Sequence, residues 1–315
     1  MDVNLLYWKC HGQSFFSRFK IWANLLNPSS LVTTDAEIQQ VRALLGSGEK
    51  VNKEDEHEWT IALSSVHADS GSVLPLFFRP PAFLPLSLPL VVGSILPHIS
   101  VKSAVFWQFL LHSYTAGFNH ANRNSSSEKQ GKAANLNQRL LIAGTVSYAA
   151  CAGALPQIFV NRLGLTNPGV QKFFRFFIPI PLSAALAFFN VYIVRGEEFE
   201  TGIQVFDSNG NPIGFSKAAA KKAVMETAWS RAALFGTAIA VPNLLVAALE
   251  RTRPFKKNTM LVASIRHISV ALVFGLMIPL SFSLFPQLGM IKTEHVEKEL
   301  QAKAVKGCLF YHRGL

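Results

Sequence analysis

The sequence predicts an all-α, multi-pass membrane protein. It should have five or six transmembrane helices, a small polar helical domain before them and a short β-hairpin in one loop. Three observations lead there. Six stretches of 18 residues or more contain no Asp, Glu, Lys or Arg. Half of the 315 residues are hydrophobic and 16% are charged, against roughly a quarter charged in an ordinary soluble domain. The charge that is present flanks the apolar stretches and is basic there: residues 82–315 carry 23 Lys/Arg against 10 Asp/Glu, whereas 1–81 carry 7 against 9. A basic balance also suits nucleic acid, but cations bordering apolar runs mark a chain held by membrane lipid.

Residues 1–80 read as a polar N-terminal domain. Phe15, Phe16, Phe19 and Trp22 recur at helical spacing, and their face is expected to pack on the bundle. Asn27-Pro28-Ser29-Ser30 breaks that helix. Thr34 or Asp35 then caps a second helix that carries Glu37 in its first turn and ends at Gly46.

The transmembrane bundle follows over 81–291. Its charge-free runs are Pro80–Val101, Ser103–Asn122, Leu140–Asn161, Phe176–Val194, Ala232–Leu249 and His267–Ile291. A helix needs roughly 20 mostly apolar residues to cross a ~30 Å hydrocarbon core. In lipid an unpaired backbone group costs several kcal/mol, so the chain must cross as helix. The first run holds Pro80, Pro81, Pro85, Pro89 and Pro97, too many for one regular helix. The second is the most polar, with Gln108, His112, Asn119 and His120, and only Lys102 separates the two. They form a hairpin, or one span with a surface or re-entrant partner. Arg123, Lys129, Lys132 and Arg139 on one side oppose Arg251, Arg253, Lys256 and Lys257 on the other, so charge does not fix orientation.

The loop 195–231 carries the hairpin. Ile203–Phe206 alternates and meets the turn signal Asp207-Ser208-Asn209-Gly210. Ala218–Ala228 is then helical, with Lys217, Lys221 and Lys222 on its polar side, and 292–315 is a polar tail. Met1–Gly12 has no long apolar signal-peptide core. Cys10, Cys151 and Cys308 lie too far apart in sequence to imply a disulfide framework.

Polar residues inside spans are costly and face a bundle interior or water. The candidates for a substrate path are His112, Asn119, Gln157, Asn190, Asn243 and Gln287, with His120 and His267 beside them. Pro156, Pro242 and Pro286 adjoin Gln157, Asn243 and Gln287. A proline frees a carbonyl one turn earlier, and such broken helices hold the binding sites of transporters. Asn and Gln amides offer both donors for a carboxylate and acceptors for an ammonium. The same residues could instead glue helices together. No Asp or Glu lies in any run, so transport is expected to be uniport or exchange without a buried carboxylate relay.

His67 and Asp69 precede the bundle in a turn with Gly71, either a polar gate or a turn that fixes entry into the first span. Asn122, Arg123 and Arg195 end spans, as interfacial anchors or as partners for the polar domain. The nine histidines show neither H-x-x-x-H nor H-E-x-x-H, and His112 and His120 lie two turns apart, so no metal site and no cofactor is expected. Nucleophile-elbow, P-loop and dinucleotide fingerprints are also missing, which argues against an enzyme. The run Ser125-Ser126-Ser127 reads as a flexible loop.

An ordered series of motifs resembles the sideroflexin family. It comprises Gln13-Ser14-Phe15, Arg18-Phe19, Asn27-Pro28, His67-Ala68-Asp69-Ser70-Gly71, Phe106-Trp107-Gln108 with Asn119 and Asn122-Arg123, and Asn190 with Arg195. It continues with Gly210-Asn211 and Gly214, Pro279 with Leu284-Phe285-Pro286-Gln287, and Tyr311-His312-Arg313-Gly314-Leu315. The resemblance implies a multi-pass protein of the mitochondrial inner membrane that carries a small neutral amino acid. It leaves open an assembly factor for respiratory complex I acting in iron–sulfur cluster and iron homeostasis, with assembly proteins as partners. Ala68 and Ser70 depart from the family's His-Pro-Asp-Thr-Gly pattern. Phe188-Phe189 beside Asn190 is expected to narrow a pocket there, which counts against serine itself as the solute.

Overall fold

The computed structural model describes residues 3–12, 14–46, 56–96, 98, 100–124, 132–162, 167–252, 259–303 and 307–315. Gln13, Pro97, Ser125–Ser127, Lys129, Arg253, Lys256 and Lys257 lie outside the described residues.

The N-terminal part comprises α1 (Val3–His11), α2 (Phe15–Leu25), α3 (Asp35–Gly46) and α4 (Glu56–Ser65). Ser14 caps α2 by accepting from the Ser17 N–H at 3.1 Å. Trp22, Ile21, Leu25 and Arg18 form its buried face, while Phe16 points out. Trp22 packs edge-on against Phe282 of the bundle at 5.1 Å. Thr34 and Glu37 make a reciprocal capping box on α3.

The bundle contains α5 (Pro80–Ile95), α6 (Val101–Ala121), α7 (Lys132–Arg162), α8 (Pro168–Lys172), α9 (Pro179–Val194), α11 (Lys217–Leu249) and α12 (Thr259–Ser283). The short α10 (Glu198–Thr201) lies between α9 and α11. Among the described residues, four helical stretches are long and apolar enough to cross a membrane: 136–160 in α7, 169–194 through α8 and α9, all of α11, and 260–283 in α12. The most apolar window of α12 is 17% buried. Leu272, Leu276 and Ile268 on α12 and Leu140, Leu141, Tyr148 and Leu155 on α7 stand exposed. Apolar surface of that extent has lipid as its natural solvent. The chain is a multi-pass membrane protein.

Three expectations about the helices change. α5 is one continuous helix despite its prolines. Pro80 and Pro81 occupy its first turn, where an N–H is not needed. Pro85 and Pro89 are one turn apart on the exposed face, so their missing hydrogen bonds lie along one edge. Residues 217–249 form one 33-residue helix, which joins the predicted helix at 218–228 to the run at 232–249. The run 267–291 is not a single span, because α12 ends at Ser283 and the chain turns through Pro286 into a strand.

The hairpin forms as predicted. β1 (Ile203–Phe206) pairs antiparallel with β2 (Pro212–Ser216), with Ile203 opposite Ser216. The Asp207 carboxylate accepts the N–H groups of Asn211 and Asn209, each at 2.8 Å, which holds that carboxyl below its usual range. The sheet is larger than predicted. β3 (Leu288–Lys292) and β4 (Cys308–His312) complete it in the order β2-β1-β4-β3, with Val205 opposite Tyr311. The helix α13 (Lys298–Lys303) joins these strands. The segment 292–315 is therefore part of the packed fold, and Tyr311, Arg313 and Leu315 are buried.

Candidate functional site

A polar plate closes one end of the bundle. It forms because charged span-ends from distant parts of the chain satisfy one another. Arg195 donates to both Glu198 oxygens, Nε to Oε1 at 2.7 Å and Nη2 to Oε2 at 2.8 Å. Nη1 donates to Thr227 Oγ1 at 3.1 Å, and Nη2 donates also to the Arg313 carbonyl at 2.8 Å. Asn124 donates its side-chain N–H to Glu198 at 3.0 Å. Arg123 pairs with Glu197 at 3.4 Å. The last residues thread this plate: Leu315 N–H donates to the Asn122 carbonyl at 3.2 Å, and Arg313 donates to the Phe282 carbonyl at 3.0 Å. Gly314 has φ +75°, and a side chain there would crowd Arg195 and Asn122. Burial pushes the Arg313 guanidinium down to about 10, against the opposing pull of the Glu226 carboxylate.

The motif turn at 67–71 locks onto this plate. The N–H groups of Asp69 and Ser70 donate to His67 Nδ1 at 3.2 and 3.1 Å. Nδ1 is therefore the acceptor, and Nε2 carries the proton that it donates to the Arg123 carbonyl. Gly71 takes φ +70° and donates to the His67 carbonyl at 3.0 Å. Arg42 of α3 reaches the Gly71 carbonyl. The histidine supplies the acceptor that stabilises this turn, and it ties the entry of α5 to the end of α6.

Beyond the plate lies a cavity of about 240 Å³ between α5, α6, α7, α9, α11 and α12. That is smaller than the roughly 300–1,000 Å³ of sites for drug-sized ligands, and it suits a small solute. The wall includes four of the six substrate-path candidates: His112, Asn119, Gln157 and Asn190. Asn119 donates to Asn190 Oδ1 at 2.8 Å, which joins α6 to α9. Asn190 in turn donates to the His112 carbonyl and to Thr115 Oγ1, both at 3.4 Å. This arrangement leaves the buried Asn119 Oδ1 without a donor. Gln157 reaches across to the Leu96 carbonyl at 3.0 Å.

The other two candidates are elsewhere. Asn243 donates to the Phe176 carbonyl at 2.9 Å and holds α11 to the π-helical turn Phe173–Phe177. Gln287 is in the polar plate, 3.4 Å from the Gly314 carbonyl, because the chain has left α12 before it. His120 contacts Arg123 at 3.2 Å outside the cavity. Phe188 and Phe189 do not narrow the pocket. Successive helical residues turn by about 100°, so Asn190, Ala187 and Leu186 face the cavity. Phe188 packs edge-on against Trp229 at 5.0 Å, and Phe189 is exposed.

Sequence reasoning missed the arginines. Arg175, Arg231 and Arg266 line the cavity, and no Asp or Glu does. Arg231 and Arg266 each stand immediately before a charge-free run, so a search for such runs used them as boundaries. Arg231 is 3% exposed, in the middle of α11. Among the described residues no three His, Cys, Asp or Glu side chains come together as a metal site.

The chain matches the family model for sideroflexins over residues 3–315. It is 51% identical to sideroflexin-4 of Danio rerio over 318 residues, covering 100% of both chains. It is 35% identical to human sideroflexin-4, covering 100% of this chain and 93% of that protein. Human sideroflexin-5 is 30% identical, covering 96% of this chain and 90% of its own length. No solved structure matches it. A match that begins at the third residue and ends at the last leaves no part of the fold outside the comparison, and the chain belongs to the sideroflexin family.

Proposed function

We propose that this protein carries a small neutral amino acid across the mitochondrial inner membrane. Family membership supports a membrane carrier-type role. The observation that carries the reading is the Asn119–Asn190 pair in the wall of a cavity of amino-acid size, with Asn119 Oδ1 left without a donor. A solute ammonium would satisfy that oxygen. The cavity has no carboxylate in its wall, so movement is uniport or exchange rather than proton-coupled through an acid. Serine is one solute among those of suitable size, since the aromatic pair at 188–189 stands outside the cavity.

The test is uptake of a panel of labelled amino acids by the reconstituted protein, compared with Asn190→Leu. The expected result is selective uptake that falls at least about ten-fold in the variant, as a lost 1.4 kcal/mol of solute interaction would give. Uphill uptake driven by an imposed pH gradient would overturn the uncoupled mechanism. Flat uptake across the panel would favour a second reading, an assembly factor for respiratory complex I. Edge strands β2 and β3, with Phe215 and Met290 exposed, would then serve as its docking edges.

A further inference from the structure

Among the described residues, three cations at the closed end of the bundle have a carboxylate acting on them. Glu198 neutralises Arg195. Glu226 acts on Arg313, which also donates to the Phe282 carbonyl and to Gln287 Oε1. Glu197 pairs with Arg123. Arg231 has no such partner among the described residues: its Nε and Nη2 are buried and donate no hydrogen bond to the fold's carbonyls or carboxylates. The charges that act on it are cations, Arg313 and Arg195. Its guanidinium lies 4.1 Å from the Phe282 ring centre, with Phe83 and Phe118 at 5.9 and 6.0 Å. Ring faces hold a guanidinium plane in place but leave its N–H edge unsatisfied. A buried cation with no counter-charge is expensive, and an intramembrane one marks a solute or ion path. Arg231 forms part of the wall of the cavity.

We propose that Arg231 binds the carboxylate of the solute, so that the ligand supplies the counter-charge that the fold omits. A guanidinium suits this task because its two parallel N–H groups match the two oxygens of a carboxylate. Asn119 Oδ1, the unpartnered acceptor of a residue in the same wall, would take the ammonium. The cavity then reads a zwitterion by its two charged ends. The identity of the ligand as an amino acid rests on the carrier reading above; the carboxylate site on Arg231 does not.

The test is ligand binding to the full-length protein in detergent, measured by calorimetry. The probes are glycine, L-alanine and L-serine, the carboxamide of each, acetate and inorganic phosphate. In wild-type protein at least one acid should bind ten-fold or more tighter than its carboxamide. Arg231→Gln should abolish that preference, and Arg231→Lys should keep part of it. Equal binding of acid and carboxamide by wild-type protein would overturn the proposal, even if Arg231→Gln failed to fold. So would a preference that is unchanged in either variant, phosphate binding without carboxylate binding, or no carboxylate binding at all. Acetate binding that depends on Arg231, with no amino acid bound, would keep the carboxylate site and defeat the amino-acid reading. Amino-acid uptake that ignores Arg231 would do the reverse.

Discussion

Removing the charge of Glu198 tests whether the polar plate is what closes the bundle. Arg195 and Glu198 are each fully buried and share two hydrogen bonds of 2.7 and 2.8 Å. Glu198→Gln keeps the side-chain shape but leaves the Arg195 cation buried near Arg313 and Arg231. Breaking one partner of a buried pair costs about 3–5 kcal/mol. Arg195 also holds Thr227 and the Arg313 carbonyl, which ties α9 to α11 and to the chain's last residues. Opening should therefore spread to β4 and Gly314. At about 1.4 kcal/mol per ten-fold, the locally open population should rise roughly 100- to 4,000-fold. Hydrogen exchange in lipid nanodiscs reads this directly, on peptides covering 195–206 and 308–315. Arg195→Met combined with Glu198→Gln should cost about 2 kcal/mol less than the two single changes summed, since neither charge is then stranded. Single changes costing under about 1 kcal/mol, or strictly additive costs, would refute the reasoning.

Other outcomes follow from the same geometry. Gly93→Ala places a methyl group against the Trp107 ring and should separate α5 from α6 at a cost of about 1–3 kcal/mol; an unchanged thermal midpoint in detergent would contradict it. His67→Ala removes the acceptor of two N–H groups and the donor to Arg123, a loss of about 1–3 kcal/mol. Limited proteolysis should then cut within 67–73 faster than in wild-type protein, and equal rates would count against the pinned turn. Asn119→Leu should lower uptake without expelling the protein from the membrane, which carbonate extraction run beside the uptake assay would show.

How much was legible in the sequence depends on the range of the signal. The apolar runs that became α7, α11 and α12 were plain because lipid exposure demands a long charge-free surface, a local property. The turn at Asp207 was plain for the same reason, since its hydrogen bonds span four residues. β3 and β4 were not: each is five residues long, and β4 pairs with β1 about a hundred residues earlier. Reading 292–315 as a tail followed from that distance. In the cavity, Asn119 and Asn190 were found because an amide in an apolar run stands out. Arg231 was lost because charge was taken to end a run, whereas an aromatic cage of Phe282, Phe83 and Phe118 lets α11 carry it inside. Asn243 and Gln287 show the opposite error: each was polar beside a proline, yet each satisfies a neighbouring carbonyl away from the cavity.

The central claim is that solute moves through the cavity between α6, α9 and α11. Ser183 lines it, and the native Cys10, Cys151 and Cys308 are all exposed and can be replaced. In that background, Ser183→Cys should react with a small water-soluble thiol reagent in proteoliposomes, lose uptake as it does so, and be protected by a transported amino acid. A cysteine at 183 that reacts fully while uptake continues at its original rate would contradict the account.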